Sequence, residues 1–141
     1  MLRWRSPVLA SLNRLQLREF LLESTILSPA AGARVFEKDD YDASVYIVLS
    51  GSVAVMVDEA DRSKDRKIRS GRIFGEMSLI SGRRRGASVE AGADCVLMQV
   101  PRRTMLKLIA SNDVVKRYVD RTFALRALQT NLAPGAKVRS T

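Results

Sequence analysis

The stretch Phe74-Gly-Glu-Met-Ser-Leu-Ile-Ser-Gly-Arg-Arg-Arg-Gly-Ala-Ser-Val89 decides how the rest of the sequence is interpreted. Residues 76–80 can form a short helical turn directly after Gly75, and a helix start presents free backbone N–H groups and a positive dipole end. Arg85 follows ten residues after that glycine, and its planar guanidinium can grip two phosphate oxygens. The stretch therefore predicts a site for a phosphate group.

The other side chains of the stretch indicate what the phosphate belongs to. Gly86 and Ala87 are small enough for a ligand to approach the backbone closely, and Ser88 adds a hydroxyl. Glu76 is a carboxylate in a site otherwise suited to anions. That choice is explained if Glu76 accepts hydrogen bonds from sugar hydroxyls while Arg85 neutralises the phosphate. The alternative is an ion pair between Glu76 and Arg85 with a purely structural role.

The composition excludes most catalytic sites. The sequence holds no histidine and one cysteine, so it offers no histidine-based triad, no imidazole metal site and no zinc cage. Cys95 lies in the mostly apolar run 95–100, where we expect it to be a small buried core residue. We therefore expect a binding protein and not an enzyme, with no metal and no cofactor. A phosphodiesterase is the least favoured alternative.

The sequence has 24 Lys and Arg against 15 Asp and Glu, a formal charge of +9 that implies an anionic partner. Nucleic acid, an acidic membrane surface and a phosphate ester all fit that charge. Aromatic residues are few, and none lies within the basic runs at 62–72 and 83–85, as a stacking surface for bases requires. Arg83 and Arg84 are expected to be solvated loop charges that raise the local concentration of anions.

Outside the stretch, the pattern changes from helical to extended and back. Ser6 and Pro7 are typical of a helix start and predict a helical segment over 6–23, with a second start near Asn13 as the alternative. Strand character follows in short segments at 25–28, 34–36, 45–49, 53–57, 68–74, 87–89 and 95–100. Helical spacing then returns, with Asp113 as the expected N-cap of the last helix.

We therefore predict a single domain over residues 1–141, mainly β with flanking helices. Strands that recur about every 8 to 12 residues, with glycines between them, favour an antiparallel β-barrel or jelly roll over residues 25–100. An N-terminal helical segment precedes it, and a short phosphate-cradle helix interrupts it. Two C-terminal helices follow at 101–132, and residues 133–141 are expected to fray.

The opening stretch contains two motifs, Phe74-Gly75-Glu76-Met77-Ser78-Leu79 and Arg85-Gly86-Ala87-Ser88-Val89. They resemble the two halves of the phosphate-binding cassette of cyclic-nucleotide-binding domains, roughly F-G-E-x-[AS]-L and R-x-A-[TS]-V. The strand pair around Gly51 also agrees, so the resemblance covers about residues 12–132. Similar domains regulate bacterial nucleotide-gated potassium channels, protein kinase A and catabolite-activator-type proteins. One departure is Asp39-Asp40, where many members have a glycine followed by an acidic residue.

The resemblance implies a role for each residue of the cassette. Arg85 would pair with the exocyclic oxygens of a cyclic phosphate, and Glu76 would accept from the ribose 2′-hydroxyl. The backbone N–H groups of Gly75, Glu76 and Ala87 would complete the cradle. Ser88 would bond the phosphate or, in some members, a guanine amino group, so it does not decide between cAMP and cGMP. The candidate ligand-binding residues are Gly75, Glu76, Met77, Arg85, Gly86, Ala87, Ser88 and Arg126.

Arg126 belongs to that set because the last helix caps the base in members that respond to ligand. It lies 41 residues after Arg85, where the similar potassium-channel domains have a base-capping arginine. Its guanidinium would stack on the purine, and the alternative is a solvated arginine on the polar face of the helix. Tyr118 and Phe123 are the other candidates for the cap. Met77 is expected to serve mainly the packing of the helical turn.

The function that the resemblance implies is a regulatory sensor for cAMP or cGMP. The last helix closes over the ligand and passes the rearrangement to an effector. The alternative is a structural or interaction domain that keeps the fold without the ligand. Because no helix-turn-helix follows the last helix in this sequence, we expect no direct binding of nucleic acid and an effector domain elsewhere in a larger bacterial protein. A homodimer through the C-terminal helix is a further candidate assembly. The expected location is the cytoplasm, or the cytoplasmic side of a membrane protein.

Overall fold

The computed structural model of the chain describes residues 6–131 and shows two antiparallel four-stranded sheets. The strands are β1 (Thr25–Leu27), β2 (Arg34–Phe36), β3 (Val45–Ser50), β4 (Ser52–Met56), β5 (Arg66–Arg69), β6 (Ile73–Phe74), β7 (Ser88–Ala91) and β8 (Val96–Val100). The first sheet has the order β1-β8-β3-β6, and the second has the order β2-β7-β4-β5. The predicted jelly roll is confirmed. The tail predicted to fray, at 133–141, lies outside the described residues.

Strand β3 separates two apolar cores, because successive side chains of a strand point to opposite faces. Val45, Ile47 and Leu49 pack in a cluster with the helices, whereas Tyr46 and Val48 pack in a cluster between the two sheets. All five side chains are buried. This position in the middle of the fold explains why 45–49 is a continuous apolar run and not an alternating one.

The helices within the described residues are α1 (Pro7–Ala10), α2 (Arg14–Glu23), α3 (Glu76–Ser81), α4 (Arg102–Ser111) and α5 (Asp113–Asn131), with a 3-10 turn at Arg62–Lys64. Ser6 caps α1 as predicted, since its hydroxyl accepts the N–H of Leu9 at 3.2 Å. The segment 6–23 is two helices and not one. Asn13 accepts the N–H of Gln16 at 2.8 Å and starts α2, so the alternative start is the one that the chain uses. Among these helices none is long and apolar enough to cross a bilayer.

The strand predicted over 68–74, with a break at Gly71, is two strands in different sheets. Strand β5 pairs with β4, and β6 pairs with β3, so the chain changes sheet between them. The strand predicted at 53–57 is wrong at its end, because β4 stops at Met56, which is buried, and Val57 is exposed. Cys95 is buried as predicted, and its burial raises the pKa of the thiol.

Asn112 links the last helix to the N-terminal helices. Its side-chain Oδ1 accepts the N–H groups of Val114 and Val115 at 3.0 and 3.2 Å, so it caps α5. The prediction of Asp113 as the cap is therefore off by one residue, and Asp113 is the first helical residue. The amide Nδ2 of Asn112 donates to the carbonyl oxygen of Ser11 at 3.2 Å, which fixes α5 against the turn between α1 and α2.

Replacement of Asn112 should separate these two contributions. We expect Asn112→Ala to lower the free energy of unfolding by about 1 to 2 kcal/mol, because the helix cap and the link to Ser11 are both lost. Asn112→Ser can keep a side-chain cap and loses the amide donor, so it should cost less. Urea unfolding of the three proteins measures both differences, and an alanine variant as stable as the wild type would contradict the cap.

Candidate functional site

A cavity of about 720 Å³ lies between the second sheet, α3 and α5. Helix α5 contributes Tyr118, Thr122, Leu125 and Arg126 to its lining. Tyr118, Thr122 and Leu125 are spaced three, four and seven apart, and Arg126 follows Thr122 by four, so the four residues share one face of the helix. The last helix thus forms one wall of the cavity.

The structure brings nearly all of the predicted site residues together. Those that line the cavity are Gly75, Glu76, Met77, Arg85, Gly86, Ala87 and Arg126. Ser88 is buried outside that lining, and its hydroxyl accepts the N–H of Lys38 at 2.9 Å. The Ser88 hydroxyl therefore anchors the loop after β2. Tyr118, one of the alternative caps, also lines the cavity.

Arg85 is a cavity-lining cation whose residue is only 2% exposed. Its Nη1 donates to the carbonyl oxygen of Gly75 at 3.0 Å. Its Nη2 donates to the carbonyl oxygen of Ser44 at 2.5 Å and to Asp42 Oδ2 at 3.1 Å. The guanidinium also lies 4.1 Å from the centre of the Phe36 ring. Arg85 therefore pairs with Asp42, and the alternative of an ion pair with Glu76 is not what the structure shows.

One donor of this guanidinium is unused. The Nε atom of Arg85 is buried and has no hydrogen-bond partner among residues 6–131. A buried donor without an acceptor lowers the stability of a folded protein by about 1 to 3 kcal/mol, so such groups are uncommon in protein interiors. The N–H at Nε is therefore a buried donor without an acceptor on a residue that lines the cavity.

Asp42 is held as a carboxylate by the groups around it. Its Oδ2 accepts the hydroxyl of Tyr46 at 2.7 Å, and its Oδ1 accepts the N–H of Ser44 at 2.9 Å. Burial alone would raise the pKa of Asp42, but these bonds and the bond from Arg85 outweigh it and hold the pKa below the ordinary value. Burial and the neighbouring carboxylate raise the pKa of Tyr46 to about 12, so its hydroxyl remains a donor.

The loop at Asp39-Asp40 fixes the backbone of Arg85. The N–H of Asp39 donates to the carbonyl oxygen of Arg85 at 2.8 Å, and the N–H of Arg85 donates to the carbonyl oxygen of Asp40 at 2.9 Å. Asp39 has a φ of 74°, in the left-handed region where many similar domains have glycine. Aspartate enters this region more readily than most side chains do. Asp39 therefore occupies a left-handed turn position that glycine would otherwise favour.

Glu76 is the counterpart of Arg85 in the cavity, a carboxylate whose residue is 1% exposed. It accepts a hydrogen bond from Nη1 of Arg126, and the two side chains form an ion pair. The Nη2 of Arg126 donates to the carbonyl oxygen of Ile73 at 2.8 Å. The first turn of α3 is therefore bonded to the last helix through Arg126.

Sequence reasoning missed Asp42, Ser44 and Phe36 as parts of the site. Asp42 is 43 residues before Arg85, and it lies in a polar stretch that reads as an ordinary loop. Ser44 contributes only its backbone oxygen, for which no side-chain pattern gives a signal. Phe36 ends a short strand and reads as a core residue. Only the packing of the sheets shows that all three surround one guanidinium.

The fold is a jelly roll with a cavity between its second sheet, α3 and α5. A putative cyclic nucleotide-binding protein from Geobacter metallireducens is similar, with a TM-score of 0.67 and 22% identity over 90% of this chain and 94% of that one. The catabolite activator protein of Thermus thermophilus has a TM-score of 0.71 and 26% identity over 90% of this chain and 61% of its own length. The regulatory domain of Toxoplasma gondii PKA, crystallised with cAMP, has a TM-score of 0.60 and 20% identity over 92% and 46%.

Residues 27–112 match the family model described as the cyclic nucleotide-binding domain. The matched segment is more than half of the 141 residues, and it contains the whole cassette. The chain belongs to this family. No curated protein matches the sequence significantly. The chain spans less than two thirds of the Thermus and Toxoplasma proteins.

The two ends of α3 offer a matched test of the cradle. Gly75 and Gly82 flank this helix with φ values of +85° and +69°. We expect alanine at Gly82 to cost about 1 kcal/mol of stability through the left-handed backbone alone. A Cβ at Gly75 would lie 2.8 Å from Arg85 Nη1 and 2.9 Å from the Ser44 carbonyl oxygen. Gly75→Ala should therefore cost about 1 to 3 kcal/mol more. Equal unfolding free energies of the two variants would contradict this packing.

The carboxylate of Asp42 should give a distinctive pH dependence. Its pKa is lowered in the folded state from an ordinary value of 3.8, so its charge stabilises the fold fully above about pH 4. That contribution is lost as the pH falls through the folded-state pKa. The stability difference between the wild type and Asp42→Asn should be constant from pH 5 to 7 and shrink below pH 4. A difference that does not vary across this range would contradict the ion pair with Arg85.

Proposed function

We propose that this chain binds a cyclic nucleotide, cAMP or cGMP, in the cavity and acts as a regulatory sensor. The observation that carries the proposal is the state of Arg85. This guanidinium is buried, lines the cavity and keeps an unused Nε donor, while a buried carboxylate, Glu76, lines the same cavity. One fixed cation and one fixed carboxylate match the phosphate and the hydroxyl of a cyclic nucleotide.

The phosphate is assigned to the side of the cavity at Arg85. Hydrogen bonds to Asp42, Gly75 and Ser44 already orient the guanidinium of Arg85. Arg85 therefore loses little side-chain entropy when an anion binds. The first N–H groups of α3 have no acceptor within the helix, and the phosphate oxygens supply one. The backbone of Gly86 and Ala87 lines the cavity beside them. Together these groups form the proposed cradle.

The sugar and the base are assigned to the rest of the cavity. Glu76 can only accept hydrogen bonds as a carboxylate, so it suits the ribose 2′-hydroxyl. The apolar lining suits the purine, and it includes Val55, Val89, Tyr118 and Leu125. The proposed ligand contacts are Gly75, Glu76, Met77, Arg85, Gly86 and Ala87, with Arg126 reaching the cavity from α5.

The proposed output is a change in α5. This helix forms one wall of the cavity and is bonded to α3 through Arg126, so a ligand that alters those contacts alters the position of the helix. An effector domain attached to the chain would receive that change. A ligand-free structural domain is the second candidate, because Glu76 already has an internal partner in Arg126.

Titration calorimetry with cAMP and with cGMP tests the proposal. We expect binding by the wild type and a loss of about 10- to 100-fold in affinity for Arg85→Gln, because hydrogen bonds to a charged group are removed. Arg84→Gln is the matched control, since it removes the same charge from an exposed neighbour outside the cavity lining. Its affinity should stay close to that of the wild type.

Circular dichroism of Arg85→Gln checks that the variant is folded, because its guanidinium is buried. If it is not folded, Glu76→Gln is the second variant, and we expect it to bind more weakly as well. A folded wild type that binds neither nucleotide at high micromolar concentration would contradict the proposed function and favour the ligand-free domain.

A further inference from the structure

We propose that the chain occupies its own ribose subsite: Arg126 holds Glu76 in the absence of ligand, and a nucleotide must displace it. This inference rests on the proposed function, and it assigns the regulation of the same cavity. It also gives Arg126 a role opposite to base capping, which would make this arginine strengthen binding.

The geometry of Arg126 is that of a two-point contact. One end of its guanidinium pairs with the Glu76 carboxylate, and the other donates to the carbonyl oxygen of Ile73 at 2.8 Å. Glu76 begins α3, and Ile73 lies in β6 just before it. Because the planar guanidinium of Arg126 donates to two groups at once, its orientation is fixed. It fastens α5 to the start of the cassette.

Burial gives this contact its strength. Glu76 is 1% exposed, and a carboxylate removed from water needs an ionic or hydrogen-bonding partner. Arg126 supplies that partner, and its own side chain is only 24% exposed. Release of Arg126 would leave the carboxylate buried without this partner unless another donor replaced it. The ribose 2′-hydroxyl is such a donor.

The two arginines of the cavity are therefore in different states. Arg85 is neutralised by Asp42, which approaches it from outside the cavity lining, so the phosphate subsite keeps an unused donor at Nε. Arg126 bonds the one group that the ribose needs. In the proposed binding mode the phosphate does not displace the Asp42 partner of Arg85. The ribose, in contrast, must replace Arg126 as the partner of Glu76.

The exchange predicts the direction of change of two quantities, the nucleotide affinity of an Arg126 variant and the attachment of α5 to α3. Only molecules in which Glu76 is released from Arg126 can bind the ribose, so the apparent affinity of the wild type is reduced in proportion to that fraction. Removal of the Arg126 guanidinium should therefore raise the affinity. A bound nucleotide should also free α5 from α3, because Arg126 loses its carboxylate. If Arg126 capped the base instead, its removal would lower the affinity, and a bound nucleotide would hold α5 more firmly.

The first test is the affinity of Arg126→Gln for cAMP and cGMP by titration calorimetry. We expect binding about tenfold tighter than that of the wild type, within the range usual for coupling between sites. Arg121→Gln is the matched control, because it removes an exposed positive charge from the same helix outside the cavity lining. It should bind with wild-type affinity or slightly more weakly. Weaker binding by Arg126→Gln than by this control would overturn the inference.

The second test uses the wild-type protein, so it does not depend on the folding of a variant. Hydrogen exchange of the backbone amides is followed with and without saturating nucleotide. Residues 85–89 should exchange more slowly with ligand, and residues 118–126 of α5 should exchange faster. Slower exchange in α5 would show that the helix closes on the ligand and would overturn the inference.

The two proposals fail in distinguishable ways. If neither the wild type nor Arg126→Gln binds a nucleotide, the proposed function fails and the inference fails with it. If the wild type binds and Arg126→Gln binds more weakly, only the inference fails. Binding by Arg126→Gln alone would support the hold of Arg126 on Glu76, although the wild type would then not be the sensor proposed above.

Discussion

The buried guanidinium of Arg85 is the interaction on which the site depends. It joins the loop before β3, through Asp42 and the carbonyl oxygen of Ser44, to the start of α3 at Gly75. It also lies over the Phe36 ring at the end of β2. A charge at this depth is tolerated only when its partners are already in place, because burial of an unpaired ion is very costly. The sheets, the loop and α3 must therefore form together before the cavity has its shape.

This requirement explains how opposite charges coexist in one cavity without cancelling each other. Arg85 and Glu76 are both buried, and a direct pair between them would satisfy both and leave nothing for a ligand. The fold gives each a separate partner, Asp42 for the arginine and Arg126 for the glutamate. The partner of Arg85 lies in the loop before β3, whereas the partner of Glu76 belongs to the last helix. The cavity is therefore lined by a cation and a carboxylate whose partners lie in different elements of the fold.

Much of this arrangement could be predicted from the sequence, because local rules determine it. The cassette, the strands around Gly51 and the helix starts at Ser6 and Asn13 all follow from short patterns. The partners of the buried ions could not be predicted in this way. Asp42 reaches Arg85 across 43 residues, and Arg126 reaches Glu76 across 50, so only the relative positions of sheets and helices decide these pairs. Ser88 shows the same limit, since the strand direction turns its hydroxyl to Lys38.

Part of the positive charge of the sequence has a structural explanation in strand β5. Strand β5 (Arg66–Arg69) is at the edge of the second sheet, where exposed backbone groups invite pairing with another chain. Positive side chains along an edge strand oppose such pairing, and Lys67 and Arg69 are exposed there. The same strand lines the cavity, and its charges attract an anion towards Arg85 before any contact forms. The general attraction for anions therefore lies at the surface, whereas in the proposed function the two buried ions select the sugar phosphate.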